Sequence, residues 1–361
     1  MKLSLKKKET EILIEEITIQ GNTHPDPSLR EFYFASLDVY REDKTFKNVL
    51  DRVMLKRTDI PAKHFVNLLY RAVQYILLFE KSVEGLAGFD RPRWTAELKS
   101  ILSSQAHLQT YQELLEKEST QTTIYQRYAG PKAAILSIFG NREVSVADLG
   151  CGLNLGLPGI EQNHPFMPIE DHSPSKKITS LVGESINLKN GISLDLVNPI
   201  KKKTWALACG FYPGELSNLP ETGKLCDLLW SQTKTSFVQE SLLNVSKIWK
   251  AKKLPKFDVA ITSTVLYQLG DKDREKAMRE IRKILKVGGV VIINDFVEVN
   301  HKISWSVDWF KKDSQSNYRT VVLQAIKGGF SQPMEFIVWN TGRCKVAYPG
   351  KDFKNVLELT K

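Results

Sequence analysis

Cysteine is scarce in this chain, with Cys151, Cys209, Cys226 and Cys344 scattered over 361 residues. None of these has a neighbour at metal-ligand spacing, which excludes a disulfide framework and a zinc site and points to a reducing cytoplasm. Long apolar runs are also missing, since nothing approaches the ~20 residues that span a bilayer. The opening Met1-Lys2-Leu3-Ser4-Leu5-Lys6-Lys7-Lys8 is basic but lacks an apolar stretch behind it, so no signal peptide is expected. Internal repeats and low-complexity segments are absent too. The composition is that of an ordinary soluble globular protein, long enough for two domains.

Charge of one sign is in excess. The formal net charge is +10, with local clusters at Lys6 to Lys8, Lys201 to Lys203 and Lys250 to Lys253. Such an excess invites a nucleic-acid partner. Lysine dominates these clusters, however, and no aromatic residues alternate with it as in single-strand binding surfaces. Solubilising loops are the plainer reading. RNA stays open as a substrate, and charge alone does not establish it.

The first part of the chain reads as helical. Asp59-Ile60-Pro61 has the acid and early proline of a helix start, and Phe65, Leu68, Leu69, Ala72, Val73, Ile76 and Phe79 follow at three- and four-residue spacing. Gly85 to Pro92 is a loop, and Trp94 to Leu115 is helical again. The expectation is an all-helical N-terminal domain over 1–125, with His64, Tyr70 and Tyr75 as core or edge residues. Beyond it, apolar strands alternate with helices, which predicts an α/β domain over 126–361. Its strands are placed from Val144, at Ser193 to Leu196, Thr235 to Glu240, Lys256 to Thr262 and Val290 to Asn294. Two more are expected at Tyr318 to Gln324 and Met334 to Ala347, the latter with a break near Asn340 to Gly342. Residues 161–191 are read as an irregular insertion holding a small strand at Ile178 to Val182. His164 and His172 in it are assigned to solvent, and no metal site is expected.

The most informative stretch is Val146-Ala147-Asp148-Leu149-Gly150-Cys151-Gly152. A buried strand runs into a turn whose glycines need no room for a Cβ. In an open parallel sheet such a turn borders the crevice where nucleotide-like ligands bind. An acid followed by Gly-x-Gly resembles the first motif of class I S-adenosylmethionine (SAM) methyltransferases. That resemblance implies a Rossmann-like fold with a seven-stranded, mostly parallel sheet, and SAM as cofactor. It implies that Asp148, Gly150 and Gly152 meet the charged methionine part, with a strand-end carboxylate on the ribose diol and a polar group near the adenine, and Asn154 is counted among the cofactor-binding residues. Asp195 is the choice for the ribose, and Glu184 is its rival. Glu240 or Ser241 would then lie near the adenine. Each carboxylate has a plainer reading as the cap of the next helix.

The resemblance extends through ordered blocks: Gln121-Thr122-Thr123, Gly152-Leu153-Asn154-Leu155, Asp195 with Asn198-Pro199, Trp205 with Tyr212-Pro213-Gly214-Glu215, and Val265-Leu266-Tyr267-Gln268-Leu269. Together these resemble an uncharacterised family catalogued as a domain of unknown function, number 2332, over a span from about Thr45 to the C-terminus. Two departures stand out. The turn here is closer to an ordinary methyltransferase, and Thr122-Thr123 replaces the family's Thr-Asn.

Further absences narrow the chemistry. No Asn/Asp-Pro-Pro-Tyr segment follows the fourth strand, which disfavours methylation of a base amino group of that type. No cysteine lies there either, which disfavours covalent attack on a pyrimidine. Ser263 to Gln268 occupies the position instead, with Asn294-Asp295 ending the next strand and Glu298 and His301 beyond. Tyr267 and Asp295 are the candidate catalytic residues, and Gln268 the candidate acceptor contact. Methyl transfer depends mainly on positioning an in-line nucleophile, so no strong base is required. A dinucleotide-dependent dehydrogenase fits poorly, because the third glycine is displaced to Gly156 and Asp195 lies too far on. The reading is therefore a cytoplasmic SAM-dependent methyltransferase, with a small-molecule acceptor favoured over RNA and no membrane association. A catalytically inactive SAM-fold binding or regulatory module is the alternative.

Overall fold

The computed structural model describes residues 2–57, 60, 62–305 and 317–359. It divides into two compact units, one of Met1–Thr122 with Lys203–Gly223 and one of Thr123–Lys202 with Lys224–Lys361. Among the described residues, no helix is long and apolar enough to cross a membrane.

The first unit is helical. Asp26, Asp43, Asp90 and Ser104 each cap a helix by accepting a backbone N–H with the side chain. The helix expected over Trp94 to Leu115 is in fact two, Arg91–Ser103 and Gln105–Lys117, because Ser104 in an extended conformation caps the second. The core is aromatic: Phe32 meets Tyr70 and Trp94 edge to face at 5.1 and 5.2 Å. Tyr70 is fully buried, as a core residue should be. The helix start proposed at Asp59 and Pro61, and the side chain of His64, lie outside the described residues.

The second unit is built on one mixed sheet. Its strands are β1 (Val144–Leu149), β2 (Glu170–Asp171), β3 (Leu188–Asp195), β4 (Ser236–Gln239), β5 (Phe257–Ser263), β6 (Leu285–Asn300), β7 (Lys302–Trp305), β8 (Tyr318–Ile326), β9 (Gly329–Phe330), β10 (Met334–Trp339) and β11 (Val346–Pro349). The order is β2-β11-β10-β8-β6-β5-β1-β3-β4, with β7 on β6 and β9 on β8. The five strands from β4 to β6 are mutually parallel, and β8 and β10 close the sheet antiparallel. The expected seven strands are therefore β4, β3, β1, β5, β6, β8 and β10, extended by four short ones.

All six residues of β1 are buried, as a central parallel strand requires. Helices cover both faces. Ala129–Phe139 and Lys177–Gly183 contribute to one apolar layer, Val245–Ala251 and Asp271–Ile284 to the other. The last of these is a well-marked helix, with Asp271 and Asp273 in its first turn and Arg282 and Lys283 in its last, complementing the helix dipole.

Residues 161–191 are more ordered than an irregular insertion. Glu170–Asp171 joins the sheet beside β11, and β3 already begins at Leu188. The small strand expected at Ile178 to Val182 is helical instead. Ile178, Leu181 and Val182 recur at helical spacing and bury one face. The closing segment Met334 to Ala347 splits into β10 and β11 around residues 340–345.

Candidate functional site

Apart from the two-residue β2 at the far edge, the strands that follow β1 lie first on one side of it, as β3 and β4, and then on the other, as β5 and β6. The reversal falls between β1 and β5, and a crevice opens outside the carboxyl ends of strands at such a switch point. The segments leaving β1 and β5 meet there. Gly150 has φ +85, and a Cβ on it would fall on the Val265 side chain, so the glycine lets the β5 turn pack against the β1 turn. Gly150 and Cys151 donate their N–H groups to Leu194 O at 2.7 and 3.1 Å, tying the turn to β3.

Asp148 is wholly buried. The Tyr128 hydroxyl donates to both of its oxygens, at 3.2 and 3.0 Å. Burial pushes its carboxyl up to about 7, opposed by the Tyr128 bond and reinforced by the Asp195 charge. A Cβ on Gly156 would fall inside the Tyr128 ring, so that glycine lets the ring reach Asp148. Asp148 thus organises the base of the turn.

Asp195 ends β3 and is half-buried. Its Oδ2 accepts the Gly152 N–H at 2.8 Å, and its Oδ1 accepts the Val197 N–H at 3.2 Å. Burial raises its pKa against these bonds. A carboxylate offers about four lone-pair positions, so two such bonds leave acceptor capacity. The rival Glu184 is exposed at the end of the helix Lys177–Gly183 and precedes β3, whereas Asp195 ends it. Glu240 follows β4, and its N–H donates to Asp195 O at 2.8 Å. Its own carboxylate accepts the Ser241 N–H at 2.8 Å, and Ser241 in turn caps the next short helix by accepting the Leu243 N–H at 3.2 Å.

Asn154 takes a left-handed φ of +50 and is 5 % exposed. Its Oδ1 is buried without a hydrogen-bond partner among the described residues. An amide oxygen of this kind costs stability unless something donates to it.

On the far side of the switch point, Asp295 is wholly buried in β6. Its Oδ1 accepts the Phe296 N–H at 2.9 Å and its Oδ2 the Tyr267 N–H at 3.2 Å. Burial lifts its carboxyl to about 7, opposed by those bonds and by Arg127. Asp295 therefore holds the turn that carries Tyr267. The Tyr267 ring is half-buried, edge to face with Phe296 at 5.5 Å. Gln268 is exposed and donates to Thr264 O at 2.6 Å. Glu298 and His301 are exposed near the β6–β7 connection.

Two residues not anticipated as site members stand beside the glycine turn. The Thr123 hydroxyl accepts the Leu153 N–H at 3.0 Å, and Trp230 Nε1 donates to Leu153 O at 3.0 Å. The position of Thr123 in the Gln121-Thr122-Thr123 block was a signal; nothing in the sequence marks Trp230.

A family model described as a methyltransferase domain matches residues 231–293, less than half of the chain. No curated protein matches. Among solved structures, PKMT2 from Rickettsia typhi in complex with AdoHcy is 15% identical, over 50% of this chain and 26% of that one, at TM-score 0.28. The N-methyltransferase NodS from Bradyrhizobium japonicum, in complex with S-adenosyl-L-homocysteine, is 15% identical over 55% and 71%, at TM-score 0.27. SAM-bound CalS10, an amino pentose methyltransferase from Micromonospora echinaspora, is 10% identical over 57% and 66%, at TM-score 0.27. This chain thus spans about a quarter of PKMT2, and overlaps this weak say nothing of its reaction. The domain match and the strand order define an α/β, Rossmann-like methyltransferase fold.

Proposed function

We propose that the second unit binds SAM in the crevice between the β1 and β5 turns and that the protein is a SAM-dependent methyltransferase. The observation that carries this is the position of Asp195, whose carboxylate at the end of β3 is tied to the glycine turn through the Gly152 N–H. A carboxylate beside a glycine turn suits a vicinal diol, which can donate two charge-assisted hydrogen bonds to it. The buried, unpartnered Asn154 Oδ1 suits a donor on the same ligand. Asp148 supports the turn from beneath, and Glu240 lies next to Asp195 on the adenine side. Glu184 is the weaker choice, since it is exposed and precedes β3. The ordered blocks from Gln121 to Leu269 support membership in the family of domain 2332.

The cofactor, when bound, supplies an electrophilic methyl group on sulfur. The chain's own part is positioning. Asp295 fixes the Tyr267 backbone, and Tyr267 and Gln268 then border the acceptor side. A small-molecule acceptor is preferred, because the lysine clusters at Lys201 to Lys203 and Lys250 to Lys253 belong to no nucleic-acid motif. The second reading, a non-catalytic SAM-binding module, is favoured by the state of Asp295. It is fully buried with both oxygens on backbone N–H groups. Methyl-tritiated SAM incubated with the protein and cell extract, then fractionated, separates these readings. Label in metabolites is expected. Label only in RNA overturns the small-molecule preference, and binding without any transfer supports the module.

A further inference from the structure

The loop at Gly152 to Asn154 is gripped at one residue from two sides. Leu153 is buried, and both of its backbone groups are met by side chains instead of by secondary structure. Thr123 Oγ1 accepts from its N–H, and Trp230 Nε1 donates to its carbonyl, each at 3.0 Å. Thr123 lies just before the turn Tyr125–Tyr128, and Trp230 is in the helix Leu219–Gln232. These segments are distant in sequence, yet they converge on one residue. The same Thr123 hydroxyl fills the space that a Cβ on Gly152 would occupy, with Gly152 at φ +55. Glycine at 152 and threonine at 123 therefore form one fitted pair.

The next residue gives this grip a purpose. Asn154 is held at positive φ directly after Leu153, with its buried amide oxygen unpartnered. A backbone free to rotate at Leu153 would let that oxygen turn toward a protein donor. A backbone fixed at both the N–H and the carbonyl holds it in place.

We propose that Thr123 and Trp230 are positioning residues that fix the Leu153 backbone, so that the glycine turn and the Asn154 amide oxygen are preorganised for the methionine end of the cofactor. This rests on the SAM reading above. A threonine hydroxyl can accept the Leu153 N–H while its small side chain lies over Gly152.

The test uses the full chain with three ligands: SAM, S-adenosylhomocysteine and 5′-methylthioadenosine, which lacks the amino-acid end. Thr123→Val removes the acceptor and keeps the shape. It should weaken SAM and S-adenosylhomocysteine about 3- to 10-fold, the worth of one hydrogen bond. Methylthioadenosine should change by less than about two-fold, and Thr123→Ser should restore all three. Trp230→Phe should behave like Thr123→Val. Without ligand, the Leu153 amide should exchange its hydrogen faster in Thr123→Val than in wild type. Equal losses for all three ligands would mean general loosening and overturn the inference, as would unchanged affinities or failure of Thr123→Ser to rescue. Wild-type protein that binds none of the three overturns the SAM reading itself, and the inference with it.

Discussion

Replacing Asp148 by asparagine tests how the base of the glycine turn is built. The carboxyl is wholly buried, and burial moves it from an ordinary 3.8 to about 7. For an acid whose folded pKa is raised, the folded state binds the proton more tightly than the unfolded chain does. Its stability contribution is fully present below the unfolded value, is lost as pH rises toward the folded value, and stays lost above it. That elevation corresponds to about 4 kcal/mol across the whole window, more than half of it between pH 5 and pH 8. Asparagine keeps an oxygen for the Tyr128 hydroxyl and removes the titration. Urea unfolding of wild type and Asp148→Asn at pH 5 and pH 8 measures the difference. Asp295 carries a similar elevation, so wild type retains a second contribution of the same sign that cancels in the comparison. The variant should lose about 2 to 3 kcal/mol less between the two pH values than wild type. An identical pH dependence in both proteins would refute the argument. So would an Asp148→Asn variant that is selectively destabilised at pH 8, which would mean that the ionised carboxylate stabilises the fold.

Other consequences follow from the same geometry. Gly152→Ala places a Cβ on the Thr123 hydroxyl at positive φ and should cost about 1–3 kcal/mol by overpacking, read as a lower urea midpoint. Gly156→Ala should push the Tyr128 ring off Asp148, with a comparable loss in the same assay. Asp295→Ala leaves the Tyr267 N–H without its acceptor; methyl transfer should slow while SAM affinity stays within about two-fold, and a matching loss of affinity would place Asp295 on the cofactor side. If RNA is the acceptor, its affinity should fall steeply as salt rises from 50 to 200 mM, whereas a small molecule should show little dependence.

The parts of this fold visible in the sequence were those that local pattern dictates. The β1 strand and its glycine turn were visible because a mostly apolar run reads as buried on both faces and Gly150 and Gly152 relieve the turn. The helix Asp271–Ile284 is legible in the helical spacing of Ala277, Ile281 and Ile284, which it buries. Ile178, Leu181 and Val182 misled because a short apolar cluster suits a strand or a helix equally; packing in the apolar layer beneath the sheet decided it. The pairing of Glu170–Asp171 with β11 was hidden, since two residues carry no periodicity. At the site, Asp195 was visible as a strand-end acid, but its hold on Gly152 was not. Trp230 was invisible because a tryptophan in a helix reads as packing, and only the fold brings its indole to Leu153. The passage of 203–223 into the helical unit depends on contacts distant in sequence, which no local pattern encodes.

The central claim is tested most directly by titrating SAM into wild type, Asp195→Ala and Glu184→Ala in a calorimeter. Wild type should bind. Asp195→Ala should lose a charge-assisted contact of about 1.5–3 kcal/mol, roughly 10-fold or more in affinity, while Glu184→Ala binds as wild type does. Absence of binding to wild type, or loss of affinity in Glu184→Ala with Asp195→Ala unchanged, would contradict the account.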